Sequence, residues 1–506
     1  MMNTMKKPRW LTVASSVAVL ALLLSACGDG DTGDTPDDTD TTDEAPTDDA
    51  PDDAAPDDDA DDVAADGDDV VRLGILGQCE GPFGGFHEDT AAGVTLALIN
   101  EAGATSNSPD TALDGWSGAE VGGTPIELVG IACGDDTPDT ILGEVRRLVE
   151  QEGANVVIGP LSGDEGIAVA EYASENPELT FLSGIAGSQE PTLEVQAPNY
   201  FRFHGDGAQW NAGLGDILYN EEGWRTVAIM ADDYSFGHTS TAGFVADFCA
   251  VGGEVTTRVF PPLGTTDYSS FVAQLPDPDE VDGYFWVVGG TGTQAALEAF
   301  VNAKGDLTGE QHAGNLFFNP GLAAALGPDI AGSYVGGFAT LPGDVQTPAI
   351  EEYLDSADAA WDTLAGGLTG NEPGDPSTAA SFGFFYGYYS AGVALVEGLR
   401  AVDGQIADQG PLQDALSNLT VDLPYGEISL DENRSGIIDT FVQQLVLDGD
   451  EVVAETVAII PGVTQDFGGT FGDDTPPPGR DFPGCEERDL PWTGSAIPVV
   501  DGVPQE

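Results

Sequence analysis

Short apolar runs recur along this chain, each closed by Gly, Ser, Pro or Asp and each followed by a stretch whose apolar residues return every three or four positions. The first runs are Val70 to Leu76 (VVRLGIL), Pro125 to Ala132 (PIELVGIA), Asn155 to Ile158 and Leu179 to Leu182. Their length and their turn residues predict buried parallel strands. Glu88 to Glu101, with Ala91, Val94 and Leu98 on one face, and Thr140 to Glu152 carry helical spacing. The long Gly-rich and Ser-rich stretch Ala102 to Thr124 reads as a surface loop. A second cycle predicts helix at Ala208 to Tyr219, strand at Thr226 to Met230, helix at Ser240 to Ala250 and strand at Glu254 to Phe260. It continues with helix at Ser269 to Leu275, strand at Gly283 to Val288, helix at Gln294 to Ala303 and a short strand at Asn315 to Phe318. Tyr334 to Leu341 then reads as a strand-like link, Ile350 to Leu364 and Ala379 to Val402 as helices, and Gly426 to Leu430 and Thr440 to Leu447 as strands. This alternation predicts an α/β protein of two doubly wound, Rossmann-like lobes joined by a multi-strand hinge, with crossings near Phe203, Phe338 and Ile437.

Asn155 to Pro191 is the stretch most suited to holding a ligand. A buried strand ends at Gly159-Pro160, and Ser162-Gly163-Asp164-Glu165 has the Ser-x-x-Glu form of a capping box, so a helix begins at the carboxyl end of a strand. Helix-start amides lack intrahelical partners, and in open α/β sheets that edge is where ligands sit. Ser183 to Ser188 adds a second turn rich in amides and small hydroxyls beside the first.

The chain's front end and charge narrow the setting. Met1 to Ala26 has Lys6, Lys7 and Arg9 before a short apolar run, the pattern of a secretory signal, and Leu24-Ser25-Ala26-Cys27-Gly28 resembles a bacterial lipobox, which implies a lipidated Cys27. Gly28 to Asp69 holds 20 acids and no base, so it predicts a disordered tether that spans on the order of 35 Å or more. The whole chain carries a formal charge of -74. After subtraction of the tether's acids and the signal's three bases, 68 acids still face 11 bases, which excludes nucleic acid as a partner. His87, His204, His238 and His312 show no paired spacing, so no metal or other cofactor is expected. Gly159 to Gly163 reads GPLSG, with Ser in the wrong place for a nucleophile elbow, and there is no P-loop or H-E-x-x-H motif; the sequence argues against an enzyme.

With Cys27 set aside, Cys79, Cys133, Cys249 and Cys485 remain, and three pairings are open. Cys79 and Cys133 follow the first two strands, neighbours in a doubly wound sheet, so they are expected to join; Cys249 then pairs with Cys485 in the Pro-rich and Gly-rich tail.

The lipobox, the two lobes, GPLSG, ADDYSFG after the first strand of lobe two and PYGEISLDENRSG near the end together resemble the leucine/isoleucine/valine-binding branch of type I periplasmic binding proteins. The resemblance covers Val70 to Ile460. It implies a solute-binding subunit of an ABC importer, exported and lipid-anchored on the outer face of the cytoplasmic membrane, monomeric, partnered by a permease and an ATPase; a lipid-anchored sensor would use the same cleft. Residues 1–26 are the signal, 27–69 the anchor and tether, 70–203 with 338–436 lobe one, 204–337 with 437–470 lobe two, and 471–506 a tail packed on lobe two. The resemblance implies a site at Ser162, Gly163, Ile185, Gly187 and Ser188 in lobe one, with Phe86 as an aromatic wall, and Phe236 and Thr291 in lobe two. The solute would be an amino acid, an amide or a related carboxylate. Amino-acid binders of that family present a Glu to the α-ammonium after the fourth strand of lobe two, and Asn319-Pro320-Gly321 here has none.

Overall fold

Two parallel sheets carry the fold, and each places its strand carboxyl ends toward the other lobe. The computed structural model describes residues 70–505 apart from 290–291, 318–319, 338–340 and 367–372, all within one unit, Ala65–Glu506. Cys27, the leader, the tether, Thr291 and the crossing near Phe338 lie outside the described residues.

Lobe one runs β1 (Val71–Gln78), α1 (His87–Ala102), β2 (Thr124–Gly134), α2 (Pro138–Arg146), β3 (Val156–Ile158), α3 (Gly163–Glu175), β4 (Thr180–Leu182) and β5 (Tyr200–Phe201). The sheet order is β2-β1-β3-β4-β5, all parallel, with a short antiparallel arm at Glu120–Val121 beyond β2. The order reverses between β1 and β3, so the turns that leave these two strands diverge and open a crevice. β3 and β4 are buried at every residue because helices cover both faces, which is why each reads as an unbroken apolar run.

Lobe two repeats the plan with α4 (Leu214–Asn220), β6 (Thr226–Ala231), α5 (Ser235–Ala250), β7 (Glu254–Val259), β8 (Gly283–Val287), α6 (Gly292–Lys304), β9 (His312–Gly314) and β10 (Tyr334–Gly336). The order is β7-β6-β8-β9-β10, and its switch point lies between β6 and β8. The chain then returns to lobe one as α7 (Pro348–Ala360), α8 (Gly383–Ala401), α9 (Gly410–Ser417), β11 (Thr420–Leu423) and β12 (Gly426–Leu430). α8 is buried along almost its whole length and packs on α1. The approach is so close that a Cβ on Gly93 would stand 2.3 Å from the Phe385 carbonyl oxygen, so only Gly fits there. β13 (Gly436–Asp448) and β14 (Glu451–Val463) finally join lobe two as an antiparallel hairpin beside β10, and β15 (Ile497–Val500) pairs with β14.

Several expected elements shift. The strand expected at Asn315–Phe318 is the preceding His312–Gly314, because Leu316 takes φ 61°, where an extended strand cannot continue. The helix expected at Ala208–Tyr219 is a short 3-10 turn and then α4, broken by Gly213 at φ 79°. The helix expected at Ala379–Val402 breaks at Ser381–Phe382, and the loop expected at Ala102–Thr124 contains a two-residue ribbon between Thr105–Ser106 and Trp116–Ser117. Helix α9 and strands β11, β14 and β15 have no counterpart in the sequence reading.

The hinge is built on buried polar groups. Arg202, fully buried, donates its amide to the Arg434 carbonyl (3.0 Å) and its guanidinium to the Ser188 carbonyl (2.7 Å), and it stands 3.9 Å from the Asp206 carboxylate. Asp206 accepts from the amides of Ala208 and Gln209 and from Gln465 Nε2 (3.0 Å). Gln209 ties the first crossing to β13 and β14 by donating to the carbonyls of Gly436 and Val463.

The tail touches both lobes. Gln465 bonds Thr192, and Asp473 accepts from Gln196, both in lobe one. Arg480 pairs with Asp233, Cys485 is joined to Cys249, and Trp492 donates to Asp247 (2.7 Å), all in lobe two. The second disulfide is Cys79–Cys133, between the ends of β1 and β2.

Candidate functional site

The two switch points face each other, and between them lies a narrow cavity of about 10 Å³, with the rings of the two lobes closed on it. Lobe one lines it with Phe83, Leu161, Ser162, Gly163, Ile185, Gly187 and Phe384; lobe two contributes Trp210, Tyr234, Phe236 and Leu316. The rings form a continuous wall: Trp210 and Phe236 centroids are 5.6 Å apart, Phe236 and Tyr234 5.9 Å, Tyr234 and Phe83 6.4 Å, and Phe83 and Phe384 6.0 Å. The lobes interlock through them. A Cβ on Gly187 of lobe one would come within 2.5 Å of the Phe236 ring, and one on Gly289 of lobe two within 2.6 Å of the Phe83 ring, so each ring needs a glycine opposite.

Ser162, Gly163, Ile185, Gly187 and Phe236 are thus brought together. Ser188 stands behind the wall, its hydroxyl bonded to the Gly163 carbonyl (2.9 Å). Phe86 does not line the cavity; it stacks on Phe382 (5.3 Å) and meets Phe384 edge-on (4.7 Å). The turn Gly84–Phe86 is a 3-10 helix that carries Phe86 outward and leaves Phe83 facing the cleft. Sequence reasoning missed Phe83, Leu161, Trp210, Tyr234, Leu316 and Phe384. Tyr234 stood inside the ADDYSFG motif, and Phe83 three places before the residue chosen; Trp210 and Phe384 carry no local signal.

The capping box expected at Ser162 does not form. Ser162 has extended backbone at the helix start but makes no side-chain cap bond, because Glu165 is drawn elsewhere. The fully buried Glu165 carboxylate accepts from the amides of Asp135 and Asp136 (3.2 and 3.0 Å) and from Gln78 Nε2 (2.6 Å), and Gln78 also donates to Asp136 (3.0 Å). Asp136 accepts in turn from the Phe83 amide (3.2 Å), which fixes that ring's turn. The Ser162 hydroxyl lies beside the Asp136 carboxyl without a hydrogen bond of ordinary geometry.

Burial raises Asp136 to about 7 and Glu165 to about 8, against the pull of their amide and Gln78 donors. On the lobe-two side, burial raises Asp232 to about 7; one of its oxygens accepts from the Gly289 amide (2.8 Å) and the other has no partner. Asp164 spans the cleft, accepting from the Ser235 amide at the start of α5 (3.1 Å). Two helix starts point at each other there, and the carboxylate between them offsets their like partial charges. The Tyr234 hydroxyl is held well above its ordinary value by burial and then by Asp232, Asp136 and Asp164. Among the described residues no group of three His, Cys, Asp or Glu is placed to hold a metal ion.

The family model described as periplasmic binding protein matches residues 70–450. The chain belongs to the periplasmic binding protein family. Within it, the Leu/Ile/Val-binding protein homolog 6 of Brucella melitensis is 22% identical over 254 residues, 48% of this chain and 60% of that protein. An ABC transporter substrate-binding protein from Sphaerobacter thermophilus superposes with a TM-score of 0.63 at 23% identity, over 78% of this periplasmic binding protein and 98% of its own chain. A solute-binding protein of an ABC transporter from Rhodopseudomonas palustris, solved with p-hydroxybenzoic acid, gives 0.64 at 17% identity over 78% and 98% of the two chains. At such identities the likeness is one of fold: two type I lobes with a cleft between them.

Proposed function

We propose that this protein is the extracytoplasmic solute-binding subunit of an ABC importer. It is held on the outer face of the cytoplasmic membrane by a lipidated Cys27, captures a small solute between its lobes and delivers it to a membrane permease; it performs no chemistry on the solute. The observation that supports this reading is the shared cavity: each lobe supplies rings that rest on a glycine of the other, so neither lobe encloses a solute alone. Closure around a solute excludes water and strengthens each polar contact inside. Branched-chain amino acids and hydroxybenzoic acid, named for the relative and the neighbour, are the first solutes to try.

The test is a thermal-shift screen of the full-length protein. A solute present at 100 times its dissociation constant adds about 2.7 kcal/mol of stability. With that solute in hand, Phe236→Ala should lose about 1 kcal/mol or more of binding free energy while the circular dichroism spectrum stays unchanged. Wild-type affinity in that variant would place the site elsewhere.

A further inference from the structure

The charge around the cavity has one sign. Among the described residues its lining is aromatic, aliphatic, Ser and Gly, with no Lys or Arg. Directly behind them stand Asp136, which contacts Phe83 and Ser162, then Glu165 in the first turn of α3, Asp164 across the cleft mouth and Asp232 beneath Tyr234. The groups acting on Asp136, Glu165 and Asp232 are burial, amides, the Gln78 and Ser162 side chains and other acids. The guanidinium of Arg202 is engaged at the hinge with the Ser188 carbonyl and Asp206. A carboxylate entering here would meet these acids behind the wall, and the first turn of the helix that could receive it carries two more negative side chains in its own sequence, Asp164 and Glu165.

The Ser162 hydroxyl in the cavity lining has only the Asp136 carboxyl beside it, without a hydrogen bond of ordinary geometry, and the buried Ser235 hydroxyl next to Gly163 has no hydrogen-bond partner. The Asp232 oxygen that faces no donor adds a third unsatisfied acceptor. Four rings, Phe83, Trp210, Tyr234 and Phe236, surround the space with successive centroids 5.6 to 6.4 Å apart. Aromatic faces carry negative potential, and a box of them is the usual receptor for an alkylated ammonium group, which sheds its weak hydration easily.

Resting on the solute-capture reading, we propose that the cleft takes a small organic cation, an alkylammonium of choline's size, in preference to a carboxylate or a zwitterionic amino acid. The cationic head sits within the Phe83, Trp210, Tyr234 and Phe236 rings, and the acids behind the wall supply the counter-charge. A hydroxyl on the cation's tail reaches Ser162 or Ser235.

The experiment is isothermal titration of the full-length protein with choline, with its neutral isostere carrying a tert-butyl group in place of trimethylammonium, and with benzoate and leucine, all at matched high sodium chloride to screen non-specific attraction to the acidic surface. Saturable choline binding is expected, with the isostere weaker by about tenfold and benzoate weaker still. Asp232→Asn should weaken choline more than the isostere, which separates a charge effect from a packing effect. Equal affinity for choline and the isostere, or binding of benzoate or leucine without choline, overturns the cation assignment and leaves solute capture standing. If none of the four probes binds, both readings of the cavity fall.

Discussion

The hinge and the cleft both bury carboxylates between the lobes, and they treat them in opposite ways. At the hinge, burial raises Asp206, Glu190 and Asp431 as it does the cleft acids, but the fully buried Arg202 opposes that rise at each of them, and Asp206 also accepts from two amides and Gln465. At the cleft, Asp232 has one amide, and Asp136 and Glu165 have backbone amides and a shared Gln78 amide group, but among the described residues no cation stands with any of the three. A buried charge is costly unless a counter-charge and hydrogen bonds come with it. The hinge carries its counter-charge in its own sequence. The cleft leaves that role unfilled, which is the condition under which an incoming cation gains most.

The largest break in this comparison comes from the hinge. Arg202→Met strands Asp206, Glu190 and Asp431 and should lower unfolding free energy by about 3–5 kcal/mol in urea titrations; a loss below about 1 kcal/mol would mean that the hinge acids do not depend on it. Next is pH. Asp136, Asp232 and Glu190 have folded values raised to about 7 and Glu165 to about 8, so the native state holds protons that the unfolded chain has released. Their contribution is complete below the ordinary carboxylate range and is lost as pH rises through those raised values. His204 and His312, lowered to about 3, act in the opposite sense, losing stability as pH falls below about 6.5, so they do not mask the effect above it. The ligand-free protein should therefore lose stability between about pH 6.5 and 8, each titrating acid adding up to about 1.4 kcal/mol per pH unit; a flat melting temperature across that window would contradict it. Asp232→Asn should reverse the usual sign of a buried-polar substitution and stabilise the ligand-free protein at pH 8 by about 1–2 kcal/mol, because the charge it removes has one amide donor and no counter-charge. The smallest change is Gln465→Leu, which should cost about 1 kcal/mol by freeing one Asp206 oxygen and Thr192; a larger loss would show that the tail and not the guanidinium governs the hinge.

Much of this architecture was readable because burial on both sheet faces writes itself as unbroken apolar runs such as Val156–Ile158. The two disulfides, Cys79–Cys133 and Cys249–Cys485, follow from sheet adjacency and elimination. Boundaries failed where backbone geometry overruled composition. Leu316 and Phe317 look like strand, yet the left-handed Leu316 turns the chain, and the strand is His312–Gly314, whose imidazole is buried against Tyr284 and Trp286. The site was half legible. Turns at strand ends announce themselves through Gly and Ser, whereas Trp210 and Phe384 reach the cavity from the hinge side and from α8, positions that only the tertiary fold brings there. Ser162 showed the limit of local motifs: its capping box was overridden by amides 29 and 30 residues away at Asp136 and Asp135.

The tail beyond the segment shared with the family, which ends at residue 450, has a mechanical consequence. Val463 ends a lobe-two strand and Cys485 is bonded into α5 of the same lobe, while the segment between them is laid over lobe one at Thr192 and Gln196. It is a cord with both ends tied to the door frame and its middle looped over the door. Separating the lobes would have to break this segment's hydrogen bonds at Thr192 and Gln196, because its two ends stay with lobe two. The Cys249–Cys485 bond, which forms where thiols are oxidised, is the knot that holds the far end of the cord to lobe two.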